Sequence, residues 1–409
     1  MHQIQLKIEA LSPLAIGRQK PGGSVSEAQN YISGSVIRGA IASVILQQSP
    51  QPEPGDDFHH LFLSDNPAIF QNAYPAVAKV GDKERVLPGE IRVLPSTAVS
   101  SKTNPGFKSS PKNHGVFDTL IDRFCSESYN HPYDPNCPVD GGRVEPHGGF
   151  YYRSIEQHYY QPSITTRLLT RVGINRRRAT AEEQVLYSIE VLNEAEGKTQ
   201  QSATYNGAIL VEDEQLASNL YNFINSHNFR LGGSASRGLG KVKILPNLSP
   251  VISSVAPRIT QFNDALQRRW KLWKIFGKPP QDLIQGRTYF SLNLQSDAIF
   301  TENWQRTTVI SPIMLQQLAN VDDSSLKLHV AYTSYDYRSG WNAAWGLMKD
   351  VELVTNKGAV YLFSTTQVEP WIQALEQLEM HGVGERTCEG FGQVQVCNEF
   401  HLVFRENAV

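Results

Sequence analysis

The residues of this chain able to do chemistry are grouped, and the clearest groups are rich in glycine and arginine. Gly382-Val-Gly384, five residues and Gly390-Phe-Gly392 form one loop. Gly232, five residues and Gly238-Leu-Gly240 form another with the same spacing. Glycine permits positive φ and a backbone approach free of side chains, so successive N–H groups of such a turn can face one phosphate. Arg237 and Arg386 lie inside the two loops, where each can add a charge-assisted bond. One such glycine pair on its own reads as a tight turn; two copies at matching places, each with an arginine, favour anion binding. A nucleotide cofactor fits poorly, because neither loop runs from strand to helix and no Gly-Lys-Ser/Thr P-loop occurs.

Other groups extend the anion-binding theme. Arg167, Arg171, Arg176, Arg177 and Arg178 fall within twelve positions, and Arg268, Arg269, Lys271 and Lys274 form a second cluster. Each is a candidate phosphate contact, against the alternative of a solvated face. A helix starting at Ser35 presents the amides of Gly34 to Val36, and Arg38, to a phosphate. Tyr31, Tyr151, Tyr152, Tyr159, Tyr160, Trp341 and Trp345 are of the type that stacks on unpaired bases, against the commoner role of core packing. Cys125, Cys137 and His147, with His131 nearby, offer donors for a structural zinc that would staple their segment, without a Cys-x-x-Cys pair; no cofactor is otherwise required. His59, His60 and His114 are acid–base candidates by type alone.

These groups need a scaffold, and composition bounds it. The 409 residues carry 38 Lys+Arg against 40 Asp+Glu, a net charge of -2. Coating nucleic acid through bulk charge is therefore excluded, while a focused basic groove is not. No apolar run reaches a membrane span, the N-terminus lacks the pattern of a secretion signal, and four cysteines are too few for a disulfide framework. The expected setting is the cytoplasm, with no membrane partner.

Ile4, Leu6, Ile8 and Ala10 alternate with polar residues as a half-buried strand does, and Val36 to Ile45 follow helical spacing with Ser33 or Ser35 as N-cap. Residues 50–165 read as a large insertion with little regular structure. Strands are predicted at Gln184–Leu192, Thr204–Val211 and Lys241–Leu245, a helix at Leu216–Ile224, a linker at Pro246–Pro257 and a helix over 260–276. The order of strands and helices then recurs: Tyr289–Gln295, Leu326–Tyr332, Val360–Phe363, a helix with Pro370 in its first turn, the glycine loop, and Gln393–Cys397. Helix, glycine loop and strand close both halves, which marks an internal duplication. Each half fits an α+β, ferredoxin-like (RRM-like) unit, with two helices on one face of an antiparallel sheet and the other face free to bind. The expected domains are 1–250 with the insertion at about 50–165, a linker and helix at 251–284, and 285–409.

At this point the sequence resembles the RAMP proteins of CRISPR systems, whose hallmark is a Gly-rich loop before the last strand of a ferredoxin-like domain. Gly382–Gly392 fits that hallmark; the first loop departs at its start, where Arg230 replaces a glycine. Leu11–Gly17 with Tyr31-Ile-Ser-Gly-Ser-Val-Ile-Arg-Gly-Ala40 resembles the N-terminal signature, with Ser33 where proline is usual, and Thr166–Ala179 resembles the Arg-rich segment. Ser339–Asn342, Leu347–Lys349 and Gly358–Phe363 look like type III subunits that cap the guide's 5′ handle, and the nearest likeness is the double-RAMP subunit of type III-D effectors.

The resemblance implies a non-catalytic subunit holding CRISPR guide RNA within a ribonucleoprotein. Its implied partners are other RAMP backbone subunits, the large polymerase/cyclase-like subunit and, indirectly, target RNA. Gly34, Ser35, Arg38, Arg167, Arg171, Arg176, Arg177, Arg237, Arg386, Trp341 and the loop glycines Gly232, Gly238, Gly240, Gly382, Gly384, Gly390 and Gly392 are the expected contacts. Target-cutting relatives use an aspartate between the first strand and first helix; here Gly17–Asn30 contains Glu27 and no Asp. An endoribonuclease, processing guide or cutting target, is the alternative reading, and a protein-only assembly subunit is a third.

Overall fold

The structure, a computed structural model, describes residues 1–18, 27–80, 83–175, 180–196, 201–251, 254–342 and 346–409. β1 (His2–Ala10) turns Ile4, Leu6 and Ile8 inward and Gln3, Gln5, Lys7 and Glu9 outward. It lies between β5 (Thr204–Val211) and β6 (Lys241–Pro250), antiparallel to both. β2 (Ile69–Phe70) extends β5, so the order is β6-β1-β5-β2, with Phe229–Arg230 at the outer edge. α1 (Gly34–Gln48) and α4 (Glu214–Ser226) cover the apolar face through Ile37, Ile41, Ala217, Leu220 and Ile224. Ser33 takes the N-cap position of α1, but its hydroxyl meets Ser35 Oγ, not a helix N–H. β6 runs through the predicted linker as far as Pro250. Phe229–Arg230 pairs only with Val242 and Lys241, so beyond them β6 is an edge, where Pro246 and Pro250 are tolerated.

The second half repeats this plan. β7 (Thr288–Leu294), α6 (Pro312–Ala319), β8 (Lys327–Tyr332), β11 (Val360–Thr365), α7 (Val368–His381) and β12 (Val394–Val396) give the sheet β8-β11-β7-β12. This is the first sheet's order read from the other end. Ala10 N–H donates to Ala203 O at 2.9 Å, and Leu294 N–H to Ala359 O at the same distance. Each half also carries a hairpin: β3 (Thr166–Asn175) with β4 (Thr180–Leu192) in the first, β9 (Tyr335–Arg338) with β10 (Glu352–Thr355) in the second. The bridges Leu14–Leu192 and Ala298–Thr355 tie these hairpins to equivalent places. Arg167 and Arg171 on β3, and Trp341–Asn342 paired with Leu347–Met348 between β9 and β10, separate signals in the sequence, thus belong to matching hairpins.

Two expectations change. Residues 50–165 hold more regular structure than expected, with α2 (Asp57–Phe62), α3 (Leu120–Ser128) and strands of two to four residues, joined by irregular segments that pack around Leu94, Ala98, Phe107, Val116 and Phe117. That core is completed by Phe400, Val403 and Ala408 from the chain's end, a contact between distant segments that no local periodicity can reveal. Nor is the second sheet's outer face free. α3 and α5 (Ala256–Trp273) pack over it, with Phe124 against Tyr289 and Asn263 bonded to the Tyr289 backbone at both N–H and C=O. Among the described residues no helix is long and apolar enough to cross a membrane.

Candidate nucleic-acid interface

The two glycine loops have one backbone in two copies. Leu231 N–H donates to Gly240 O and Val383 N–H to Gly392 O, both at 2.8 Å. Gly233 N–H bonds Ala15 O and Glu385 N–H bonds Ile299 O, both at 2.9 Å; Gly240 to Pro13 and Gly392 to Asp297 repeat the match at 2.9 Å. Ser234 and Arg386 take left-handed φ of 60° and 57°, and Gly238 and Gly390 follow at 88° and 91°. In this register Gly232 matches Gly384, each with its Cα pressed on a carbonyl oxygen. Arg237 therefore matches Glu389, while Arg386 matches Ser234. The arginines do not occupy equivalent places.

Both loops and the start of α1 line one groove of about 1150 Å³ between the halves. Six cations (Arg230, Arg237, Lys241, Arg338, Lys349 and Arg386) face three carboxylates (Glu190, Asp297 and Glu389) there, so a chain of net charge -2 concentrates positive charge at this place. Asp297 lies on the floor. Burial opposes its ionisation, but Lys357 and the two bonds from Arg338, at 2.7 and 3.0 Å, hold its carboxyl below the usual range. Tyr31 of the first half is buried against this group, with Lys357 Nζ 4.8 Å from its ring centre.

At the first loop Arg237 is exposed, stacks on Tyr187 at 5.1 Å, and has no carboxylate partner among the described residues. Arg171 pairs in register with Tyr187 across the hairpin and is exposed beside it. The N–H groups of Ser234, Ala235 and Ser236 have no acceptor among the described residues, which suits a loop meant for an anion.

The second loop differs. Glu389 accepts from Arg386 at 2.6 Å and from Lys349 at 2.9 Å, and these two cations overcome burial to lower its pKa. Gly390 is pressed on the start of α1: a Cβ there would lie 2.8 Å from Phe70 O and 3.2 Å from Gly34 Cα, and one on Gly34 would lie 1.8 Å from Phe70 O. Asn72 closes the joint, accepting from Gly34 N–H at 2.8 Å and donating to Gly390 O at 3.2 Å. The Gly34 amide is thus already bonded, and Gly34 and Gly390 join the halves.

Other predicted residues are dispersed. Ser35 lines the groove, whereas Arg38 donates to the Phe62 carbonyl at 2.6 Å, outside it. Arg167 pairs with Glu194 at 2.9 Å. Gly240, Gly382 and Gly392 hold the loop turns at positive φ. Arg176, Arg177, Arg178, Trp345 and the side chain of Trp341 lie outside the described residues. Tyr31, Tyr151 and Tyr159 are buried core, and Tyr152 stacks on Tyr160. Arg269 pairs with Asp122 and Glu406 beside α5. His59 and His60 sit on α2, away from the groove, and Glu27 is exposed in a short strand opposite Arg18.

The proposed zinc set is not brought together. Burial among α3 and α5 pushes the Cys125 thiol well up, while His147 bonds Gln161 at 3.1 Å beside Phe107. Cys137 instead meets His114 and Asp140. Asn72 is the residue that sequence reasoning missed; it lies in the irregular stretch, where nothing local marks an amide as a joint.

Among solved structures, a type III-B Cmr-beta complex bound to cognate target RNA and AMPPNP contains a chain similar to this one at 12% identity. The match covers 90% of this chain and 88% of that one, with a TM-score of 0.40. Oligomeric Cmr4 from Pyrococcus furiosus matches at 14% identity over 62% of this chain and 100% of its own, TM-score 0.26. A Cas6 product complex matches at 14% over 49% and 80%, TM-score 0.28. No curated protein matches the sequence. A model of the RAMP superfamily matches residues 7–243, more than half of the chain, and the protein belongs to that superfamily.

Proposed function

We propose that the chain is a non-catalytic guide-RNA subunit of a type III CRISPR effector ribonucleoprotein, of the type III-D double-RAMP kind, built on two ferredoxin-like units. The guide's sugar-phosphate track, near its repeat-derived 5′ handle, runs along the groove between the units. Other RAMP subunits and the large polymerase/cyclase-like subunit are its neighbours, and target RNA reaches it through the guide. Superfamily membership and the βαββαβ order of both halves support this reading. The observation that carries it is the groove itself: duplicated loops face one space, and at one of them stands an exposed Arg237 with no carboxylate partner among the described residues. Phosphate contacts of this kind position a strand without reading its sequence. The histidines of acid–base type on α2 lie outside this groove, which favours holding over cutting.

The test is crosslinking of the RNA that copurifies with the chain, together with binding measured against salt. Crosslinks should fall on 231–240 and on the β3–β4 hairpin. Arg171→Ala with Arg237→Ala should weaken binding and flatten its salt dependence while the RNA stays intact. Crosslinks confined to other surfaces, unchanged affinity in the double variant, or strand cleavage by the purified chain would each overturn the reading.

A further inference from the structure

A second site lies in the insertion, far in character from the basic groove. Cys137 Sγ is 3.5 Å from His114 Nδ1, and the same nitrogen is 3.2 Å from Asp140 Oδ2. All three donor atoms lie within 4.8 Å of one another. A tetrahedral zinc with Zn–S of about 2.3 Å and Zn–N and Zn–O of about 2.0–2.1 Å has an S–N edge of about 3.6 Å and an N–O edge of about 3.3 Å. The observed separations are those of two edges of that tetrahedron. Both the thiol and the carboxylate address one imidazole nitrogen. A catalytic relay uses opposite ring nitrogens, so this is no Cys-His-Asp triad. In the metal-free cluster the thiol can donate to Asp140 and Nδ1–H to the same carboxylate, and one cation among the three donors replaces both protons.

The surroundings orient each donor as metal ligands are oriented. Nε2 of His114 lies 3.2 Å from Asn104 Nδ2; turning that amide over about its Cβ–Cγ bond puts its oxygen there, where it can accept the Nε2–H left when imidazole binds through Nδ1. Asp140 is fixed at both oxygens, by Thr103 Oγ1 at 3.1 Å and by Gly142 N–H at 2.9 Å. A turn closed by Cys137 N–H to Gly142 O and Gly141 N–H to Cys137 O sets Cys137 and Asp140 side by side. Cys137 is 1% exposed, while the His114 and Asp140 side chains are 18% and 33% exposed. The fourth corner therefore faces solvent, where a water completes the shell.

We propose that His114, Cys137 and Asp140 form a zinc site that fastens the 137–142 turn to the 104–114 loop. A thiolate, an imidazole and a carboxylate together suit zinc; magnesium and calcium take oxygen alone. Cys125 and His147 have no part in it. The inference is independent of RNA binding.

The experiment uses the full chain, stripped with a chelator and titrated with zinc and, for spectroscopy, with cobalt(II). The expected result is about one zinc per chain, with thiolate-to-cobalt charge-transfer absorption and the visible bands of four-coordinate cobalt. Cys137→Ser should abolish the charge-transfer absorption and His114→Ala should release the metal, while Cys125→Ser leaves both unchanged. Asn104→Ala, acting through the imidazole, should weaken zinc binding about 10- to 100-fold. Absence of stoichiometric uptake, or charge-transfer absorption surviving in Cys137→Ser, overturns the assignment. Should Cys137→Ser fail to fold, Asp140→Asn at the exposed corner decides: with an unchanged circular dichroism spectrum it must lose zinc affinity, and undiminished binding overturns the site.

Discussion

The two glycine loops share a backbone bond for bond and have opposite environments. At the first, Gly238 stands in open space and Arg237 is displayed over Tyr187. At the second, Gly390 is wedged against Gly34 and Phe70, and Glu389 holds Arg386 and Lys349. One loop leaves its arginine exposed and without a carboxylate partner among the described residues, while its copy is consumed in joining the halves. The same divergence separates the sheets. Gln5, Lys7 and Glu9 match Tyr289, Ser291 and Asn293 in the duplicated register. Gln5 and Lys7 line a cavity of about 860 Å³, whereas Tyr289 lies beneath α3 and α5. A duplicated fold can thus keep its geometry in both copies and leave binding chemistry in one.

The largest effect should come from alanine at the paired glycines. Gly238→Ala and Gly390→Ala meet the same left-handed backbone, a cost of about 1–2 kcal/mol each. Only at Gly390 does the new Cβ also strike Phe70 O and Asn72 Oδ1, adding overpacking of about 1–3 kcal/mol. Denaturant unfolding should therefore show Gly390→Ala losing roughly twice as much stability as Gly238→Ala. Equal losses would mean that the second loop is not the joint.

The contrast between sheets can be tested through pH. His329 lies on the covered face, beside Phe124 and Tyr289 and bonded to Ser364 at 2.8 Å. Burial first, then Arg287 and Lys327, push its pKa from 6.5 to about 4. Between these values the unfolded chain binds the proton that the folded chain refuses. Stability is thus full above pH 6.5, falls as pH drops through that window, and levels off below about pH 4. The loss is on the order of 2–3 kcal/mol, and His329→Gln should flatten this part of the pH–stability curve. A slope unchanged in the variant would place the imidazole in water and the face in the open.

Affinity for RNA comes next. Arg237→Ala should weaken binding by about tenfold and lower the salt slope by about 0.7, as for one phosphate contact on a single strand. Arg386→Ala should change little, because its guanidinium is already satisfied by Glu389. The reverse ranking would reassign the binding loop.

Much of this was legible in the sequence, for identifiable reasons. The alternation Ile4, Leu6, Ile8 and the spacing of Leu216, Leu220 and Ile224 declare their elements locally, and glycine spacing declares the duplicated turn. That spacing, Gly232 to Gly238 against Gly384 to Gly390, also aligns Arg237 with Glu389 and Ser234 with Arg386, so the inequivalence of the two arginines is itself written in the sequence. The Asn72 joint, the α3 cover and the His114–Cys137–Asp140 cluster were not legible. Each is made by segments distant in sequence, and Cys137 gives no hint that its partner is His114, not Cys125.

The smallest expected effect is the sharpest test of the loop comparison, because it runs against intuition for a loss of contacts. Glu389→Ala removes two ion pairs, with Arg386 and with Lys349, from the second loop, so its structural consequence is a modest loss of stability. Its electrostatic consequence is a gain: Arg386 and Lys349, both lining the groove, lose their shared counter-charge. RNA binding at low salt should tighten by a few-fold, with a steeper salt dependence, since freed cations release more counterions from the strand. Adding Arg386→Ala should return affinity to the starting value. Tightening that survives the double change would trace the gain to another source. Weakened binding would mean that Glu389 positions the groove, and that the second loop takes part in binding after all.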